Sequence, residues 1–492
     1  MPPAVPERPN LLVIVSDQHS PHVLGCAGDS VVRTPHLDRL AARGTHFSSA
    51  YCAAPLCVPS RMAFMTSQHP SAIQVWSNRD VLGSDVPTFA HALGVAGYET
   101  VLCGRMHFIG PDQRHGFERR ILMDIGGGYF GLGGPGPDFG PHIPAHTAGM
   151  QYPGVQFAGP GRTSYQAYDA DVTTTAVDYL RTRKQSGDPR PFCLVVGFLL
   201  PHSPYICPRP LYDEYAANVS APSVPEDYLD RLHLAMRAWR EDRGVDHLSM
   251  AEAQRARAAY YGLVTLLDEQ VGRVLAALEE GGHAADTAVV YTSDHGEMAG
   301  EHGMWWKMSF YQGSAGVPLI WSWPGRIAQG HTTSAAASLL DVAPTLLELG
   351  SAPTLPNGTG HSLLGLLKGE VVPDWPDEAF YEMLPSAHVP AARMVRRGPW
   401  KLSYFHGYDT PQLFHLEEDP QELDDRGADP ACRDVREALL ARVHAGWSAA
   451  ANAAIIERRT PDVALLTQWF RAVRPNYTRW VPRPEQNLFP EP

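Results

Sequence analysis

Long apolar runs are missing from this 492-residue chain. The longest, residues 193–200 (CLVVGFLL), falls far short of the roughly 18 residues that span a bilayer. A basic excess is missing too. Lys and Arg number 40 against 53 Asp and Glu, a net charge of −13. That excludes the positive face of a nucleic-acid binder and the polybasic patch of a membrane anchor. Cysteine is sparse: seven residues, an odd and scattered set, which argues against a disulfide framework. The opening MPPAVPERPN has no apolar core of a secretory signal, so the expected location is cytoplasmic. What is present is 44% hydrophobic residues, ordinary for a globular chain and too many for a disordered one. The length predicts roughly three domain-sized units of about 150 residues each.

Four short apolar runs stand out, and each ends in polar residues. Residues 10–15 (NLLVIV) lead into Ser16-Asp17-Gln18, and 99–103 (ETVLC) into Gly104-Arg105-Met106-His107. Residues 193–200 lead into Pro201-His202, and 288–292 (AVVYT) into Ser293-Asp294-His295. Non-alternating runs rich in β-branched residues suit strands buried on both faces.

Helical patterns lie between them. Thr34-Pro35 opens a helix over 35–43, a short one is expected over 87–95 and another over 165–183, and the clearest runs over 251–280. There Tyr260, Leu263, Leu267, Val271, Val274, Leu275 and Leu278 recur at three- and four-residue steps before Gly281-Gly282. Strands alternating with helices predict an α/β fold around a mostly parallel sheet. Ligands of such sheets collect at the carboxyl ends of the strands, where all four polar clusters fall.

The Gly- and Pro-rich stretch 125–161 reads as a long excursion near that site. After about residue 366 the texture changes. Residues 394–404 and 412–416 read as short strands of a smaller α+β subdomain. The expected division is 1–366, a catalytic α/β domain; 367–470, the subdomain; and 471–492, an extended tail, either loose or wrapped over a neighbouring subunit.

The sharpest local signal is Cys57-Val58-Pro59-Ser60-Arg61. A C-x-P-x-R pattern arises by chance about 0.05 times in a chain of this composition. Pro59 suits the first turn of a helix through residue 67. That puts Cys57 at a helix N-terminus, where free N–H groups and the dipole favour an anion. Arg61 lies one turn further along the same helix.

These residues resemble the formylglycine-dependent type I sulfatases of the alkaline phosphatase superfamily. The resemblance covers roughly residues 8–420. It rests on TPHLDRLAARG (34–44), AYCAAPLCVPSR (50–61), YETVLCGRMHFIG (98–110), AVVYTSDHGEMAGEHG (288–303) and 396–419. The run MHFIGPDQRHGF (106–117), with Asp17-Gln18 and Asp294-His295, is most similar to the choline-sulfatase and phosphonate-monoesterase-like branch.

The resemblance implies an alkaline-phosphatase-like fold and hydrolysis of a small-molecule sulfate ester. A formylglycine-generating enzyme would act as partner during maturation and oxidise Cys57 to formylglycine, whose hydrate is the nucleophile. Asp17, Gln18, Asp294, His295 and the group at 57 would hold one divalent metal ion. Strand-end carboxylates beside an anion site repel unless a cation separates them. Oxygen ligands suit Ca²⁺, Mg²⁺ or Mn²⁺, and the imidazole favours Mn²⁺.

Arg61 would hold the hydrate, while Arg105, Lys307 and Asn78 would contact the sulfate. The family usually has Lys where this chain has Arg105, and Arg brings a planar fork in place of a point charge. His202 would protonate the leaving oxygen, and His107 would deprotonate the hydrate's second hydroxyl. His19, His22, His46 and His302 are expected to pack or sit behind the site.

Two other readings stand beside this one. One is a phosphonate monoester or phosphodiester hydrolase on the same scaffold. The other is an inactive metal-binding protein in which Cys57 stays a thiol. A plain cysteine hydrolase is disfavoured, because carboxylates beside the nucleophile oppose a thiolate. Tyr129, Phe130, Phe139, Tyr152 and Phe157 give the 125–161 stretch aromatic character without naming a substrate. The proline-rich tail points to a homo-oligomer.

Overall fold

The computed structural model describes residues 8–125, 148–383, 390–473 and 478–488. Tyr129, Phe130 and Phe139 therefore lie outside the described residues.

Eight strands form the main sheet: β1 (Asn10–Asp17), β2 (Thr45–Phe47), β3 (Glu99–Gly104), β4 (Arg119–Leu122), β5 (Phe192–Pro201), β6 (Thr287–Ser293), β7 (Leu319–Ser322) and β8 (His331–Thr333). Their order across the sheet is β8-β2-β7-β6-β1-β5-β3-β4. Every pairing among β6, β1, β5, β3 and β4 is parallel, and β7 runs antiparallel to both of its neighbours. The apolar runs of β1, β5 and β6 are buried end to end because helices cover both faces.

Central strand β1 pairs Ser16 with Ser293 on one side. On the other side its register jumps from Val15 opposite Gly197 to Asp17 opposite Pro201. The jump turns the end of β1 out of the regular pleat and delivers Asp17 and Gln18 to the rim. Gly197 is required where it stands. A Cβ there would lie 1.8 Å from the carbonyl oxygen of Arg105, and Arg105 N–H donates to the Gly197 carbonyl at 2.9 Å.

The long helix spans Met250–Glu280. Ser249 and Glu252 cap it reciprocally, each side chain accepting from the other's backbone N–H. Its predicted stripe is buried except for Leu275, which is partly buried. The motif helix, Cys57–Thr66, is buried at every residue.

A second sheet of four antiparallel strands, β9 (Glu378–Met383), β10 (Ala392–Arg397), β11 (Trp400–Phe405) and β12 (Gln412–His415), packs against the helix Arg433–His444. The expected strand over 394–404 is thus two strands joined at Gly398-Pro399, where Gly398 has a φ of 54°. A helix then continues from Ala449 to Val473, past the expected start of the tail at 471.

Residues 478–488, within the expected tail, lie against their own chain. Trp480 N–H donates to the Asp124 carbonyl at 2.8 Å, and its indole N–H to Asp171 at 2.9 Å. Asn487 Oδ1 accepts from Ser164 N–H at 2.7 Å, at the start of the helix Ser164–Thr182. Buried ring contact with Tyr168 and these unpaired helix-start donors give the tail its seat. Among the described residues no helix is long and apolar enough to cross a membrane.

Candidate active site

The carboxyl ends of β1, β3, β5 and β6 meet the N-terminus of the motif helix, bringing Asp17, Arg105, His202, Asp294 and Cys57 together. Cys57 Sγ lies 3.6 Å from Asp17 Oδ1 and 3.3 Å from His295 Nε2. Lys307 Nζ lies 3.1 Å from the sulfur, 2.8 Å from Gln18 Oε1, 3.1 Å from His295 Nε2 and 3.2 Å from His202 Nε2.

Asp17, Cys57, Asp294 and His295 each offer a ligand atom within 4.8 Å of the others, and all four are buried. His295 Nδ1 faces the Gly296 carbonyl at 3.0 Å. With its proton donated there, Nε2 presents a lone pair to the cluster, the usual arrangement of a metal-ligating imidazole. Two carboxylates, an imidazole nitrogen and a fourth donor fit a divalent ion.

Cations balance the acids. Arg61 Nε donates to Asp294 Oδ2 at 2.7 Å and its Nη2 to Asp17 Oδ2 at 3.2 Å. Arg105 Nε donates to Asp17 Oδ2 at 2.6 Å. Burial and the Cys57 charge push Asp17 up, but Arg105, His202 and Arg61 together hold it well below the usual carboxylate range. Burial likewise pushes the Cys57 thiol up, while Lys307 and His295, with hydrogen bonds from His107 and His202, take it well below its ordinary value.

The two acid/base candidates are held differently. His202 Nδ1 faces the Ser203 carbonyl at 2.5 Å, so its proton sits there and Nε2 faces the site. The end of β5 is fixed by the buried carboxylate of Asp169, which accepts from Leu199 and Leu200 N–H at 2.9 and 2.8 Å. His107, with a left-handed φ of 57°, accepts at Nδ1 from Arg105 Nη2 at 2.9 Å. Burial and the adjacent Arg105 push its pKa down. Because Arg can only donate, neutral His107 carries its proton on Nε2. To act as a base it must hand on that proton or release Arg105.

Asn78 has a structural duty. Its Oδ1 accepts from Val58 N–H at 2.9 Å, capping the motif helix from outside because Leu56, at the cap position, has no side-chain acceptor. The sequence reading missed two carboxylates. Asp124 accepts from His107 N–H at 2.8 Å and pairs with Arg105 at 3.3 Å. Its position just past β4 was a usable signal. Glu297 lies inside the SDHGEM segment and accepts from Gln18 Nε2, a contact between residues 279 positions apart that the sequence does not mark. His302 packs, as expected, stacked on Tyr311 with ring centroids 3.8 Å apart.

This fold and this cluster, which includes a candidate metal site, fit a hydrolase of anionic esters. The Sulfatase family matches residues 9–352, and a second family, N-sulphoglucosamine sulphohydrolase, C-terminal, matches 300–447. The chain belongs to the sulfatase family and is a sulfuric ester hydrolase. Among its relatives, the choline-sulfatase of Rhizobium meliloti (strain 1021) is 35% identical over 445 residues, covering 86% of this chain and 83% of that protein. Arylsulfatase K of Gallus gallus is 30% identical over 451 residues, covering 86% and 79%. The crystal structure of the phosphonate monoester hydrolase of Agrobacterium radiobacter superposes with a TM-score of 0.71 at 23% identity, covering 88% of this chain and 94% of that one.

Proposed function

We propose that this sulfatase cleaves a small-molecule sulfate monoester using the residue at position 57 as nucleophile. The observation that carries the reading is the convergence of Asp17, His295 and Lys307 on Cys57 Sγ, at 3.6, 3.3 and 3.1 Å. Asp17, Gln18, Asp294 and His295 would hold the divalent ion (Ca²⁺, Mn²⁺ or Mg²⁺), which supplies Lewis acidity at the sulfate oxygens when bound. Conversion of Cys57 by a formylglycine-generating enzyme supplies an aldehyde hydrate, with one hydroxyl to attack and a second through which the aldehyde re-forms.

The chain's own groups do the rest. Arg61 orients the residue at 57 and balances Asp17 and Asp294. Arg105 and Lys307 take the equatorial sulfate oxygens, where negative charge is stabilised by fixed cations. His202, one proton held at Nδ1 by the Ser203 carbonyl, carries a second on Nε2 as the imidazolium and gives that one to the alcohol oxygen as the sulfur–oxygen bond breaks. His107 takes the proton released at position 57. Asn78 contributes by holding the helix start against the substrate.

A phosphonate monoester or phosphodiester hydrolase is the second reading. It is favoured by Arg105, which stands where the family usually has Lys and brings a planar guanidinium in place of a point charge. The deciding experiment is a panel of aryl sulfate, choline sulfate, phosphonate monoester and phosphodiester. The enzyme is co-produced with a formylglycine-generating enzyme, loaded with Mn²⁺, and compared with Cys57→Ala. The sulfate ester is expected to turn over fastest, and the variant not at all. Faster phosphonate or diester turnover promotes the second reading. Full activity of Cys57→Ala ends both. An unmodified thiol at 57 in protein from its native host, read by peptide mass, would favour the inactive metal-binding alternative.

The same reading takes 1–366 as the catalytic domain, 367–470 as the subdomain and 471–492 as the tail, in a cytoplasmic homo-oligomer.

A further inference from the structure

Glu297 is fully buried and, among the described residues, has no cation against it, an expensive placement for a carboxylate unless donors surround it. Four do. Ala299 and Trp306 N–H donate to Oε1 at 2.8 and 2.6 Å. Tyr205 Oη and Gln18 Nε2 donate to Oε2 at 2.7 and 2.5 Å. The Trp306 bond fixes the backbone immediately before Lys307, at a residue with a left-handed φ of 61°.

The Gln18 amide is thus held at both ends. Its nitrogen faces the Glu297 carboxylate, and its oxygen accepts from Lys307 Nζ at 2.8 Å. Lys is only a donor, so these two neighbours permit one orientation of the amide, with the oxygen toward the metal cluster.

We propose that Glu297 is a positioning residue that sets which end of the Gln18 amide faces the ion. This rests on the reading of Gln18 as a metal ligand. In Glu297→Gln the new amide keeps its oxygen toward Ala299 and Trp306, whose N–H groups cannot move. Its NH₂ then faces Gln18, which must turn and present its own NH₂ to Lys307 and the ion. An amide NH₂ has no lone pair to offer a cation. In the double variant Gln18→Glu/Glu297→Gln, the carboxylate at 18 accepts from the NH₂ at 297 and still offers an oxygen to the cluster.

The test is titration of Mn²⁺ into the chelator-stripped full chain, followed calorimetrically and by the Mn²⁺ paramagnetic resonance signal. Glu297→Gln is expected to bind at least about tenfold more weakly than wild type, the usual cost of losing an outer-shell partner, and Gln18→Glu also more weakly, because its carboxylate faces that of Glu297 and turns from the cluster or takes up a proton. The double variant is expected to recover most of that loss. Wild-type affinity in Glu297→Gln overturns the proposal, as does a double variant no tighter than the weaker single variant. Should Glu297→Gln fail to fold, recovery of folding in the double variant is the supporting result, and a double variant that stays unfolded is the overturning one. If wild type itself takes no Mn²⁺, the metal-site reading fails. If wild type binds and the variants bind equally well, only the role of Glu297 fails.

Discussion

Arg61 and Asp294 form an ion pair sealed from water, with Nε to Oδ2 at 2.7 Å and side-chain exposures of 1% and 0%. The same guanidinium reaches Asp17 at 3.2 Å. One residue of the motif helix therefore neutralises the ends of β1 and β6, which are neighbours in the sheet but 277 positions apart in sequence.

Removing that cation should cost more than activity. In the metal-free enzyme, Arg61→Ala leaves two buried carboxylates short of a partner, and a loss of about 3–5 kcal/mol is expected. Urea unfolding of chelator-treated protein measures it. Added Mn²⁺ should return part of the stability, since it replaces the missing charge. An unchanged midpoint in the stripped variant would contradict the pairing.

The leaving-group role of His202 predicts a graded defect. His202→Ala should lower kcat by about 10²–10⁴ for alkyl sulfates, whose alkoxides need a proton. For sulfates of acidic phenols the loss should be much smaller. A uniform loss across leaving groups would reassign His202 to binding.

Metal removal should appear in stability as well as rate. A ligand at 100 times its Kd adds about 2.7 kcal/mol to folding. Mn²⁺ should therefore raise the Tm of the stripped wild type and leave Asp294→Asn nearly unmoved. Equal shifts in both proteins would remove Asp294 from the ligand set.

Acid should weaken the fold partly through His302. Burial, outweighing the neighbouring Glu301, pushes its pKa down to about 4 from 6.5. The folded state therefore disfavours the charged ring. His302 imposes no penalty above pH 6.5, and stability is lost as pH falls from there toward about 4, by about 3 kcal/mol in all. Unfolding free energies at about pH 7, 5.5 and 4 should show this loss in wild type. His302→Phe, which keeps the ring against Tyr311, should be flatter across the same window.

Asn78→Ala removes the side-chain acceptor of Val58 N–H at the start of the motif helix, and about 1 kcal/mol should go with it. Asn78→Asp keeps an acceptor and should retain the stability. If both variants are as stable as wild type, the capping role fails.

What could be read in the sequence was whatever chemistry leaves local marks. The ends of β1, β3, β5 and β6 are legible because a buried parallel strand is apolar throughout and stops at its first polar residues. The long helix is legible because its stripe repeats with the helical period. Position 57 and Arg61 sit in a pattern short enough to be improbable by chance.

Other features leave no such mark. Asp124 and Glu297 work by accepting backbone N–H groups, of His107 for the first and of Ala299 and Trp306 for the second, which no motif records. Asn78, which the resemblance places against the sulfate, also caps a helix start twenty residues away, a contact that no local pattern records. The helix Ala449–Val473 escaped notice because Pro461 interrupts it and few of its residues are buried. The tail's partners lie about 300 positions upstream.

The burial of Cys57 has a practical corollary. Six of the seven cysteines are buried and only Cys26 is partly accessible. A thiol-reactive dye applied to the native protein would stain Cys26 and report nothing about position 57. The same dye in strong denaturant counts them all: seven equivalents mean the side chain at 57 still ends in sulfur, and six mean it has been converted.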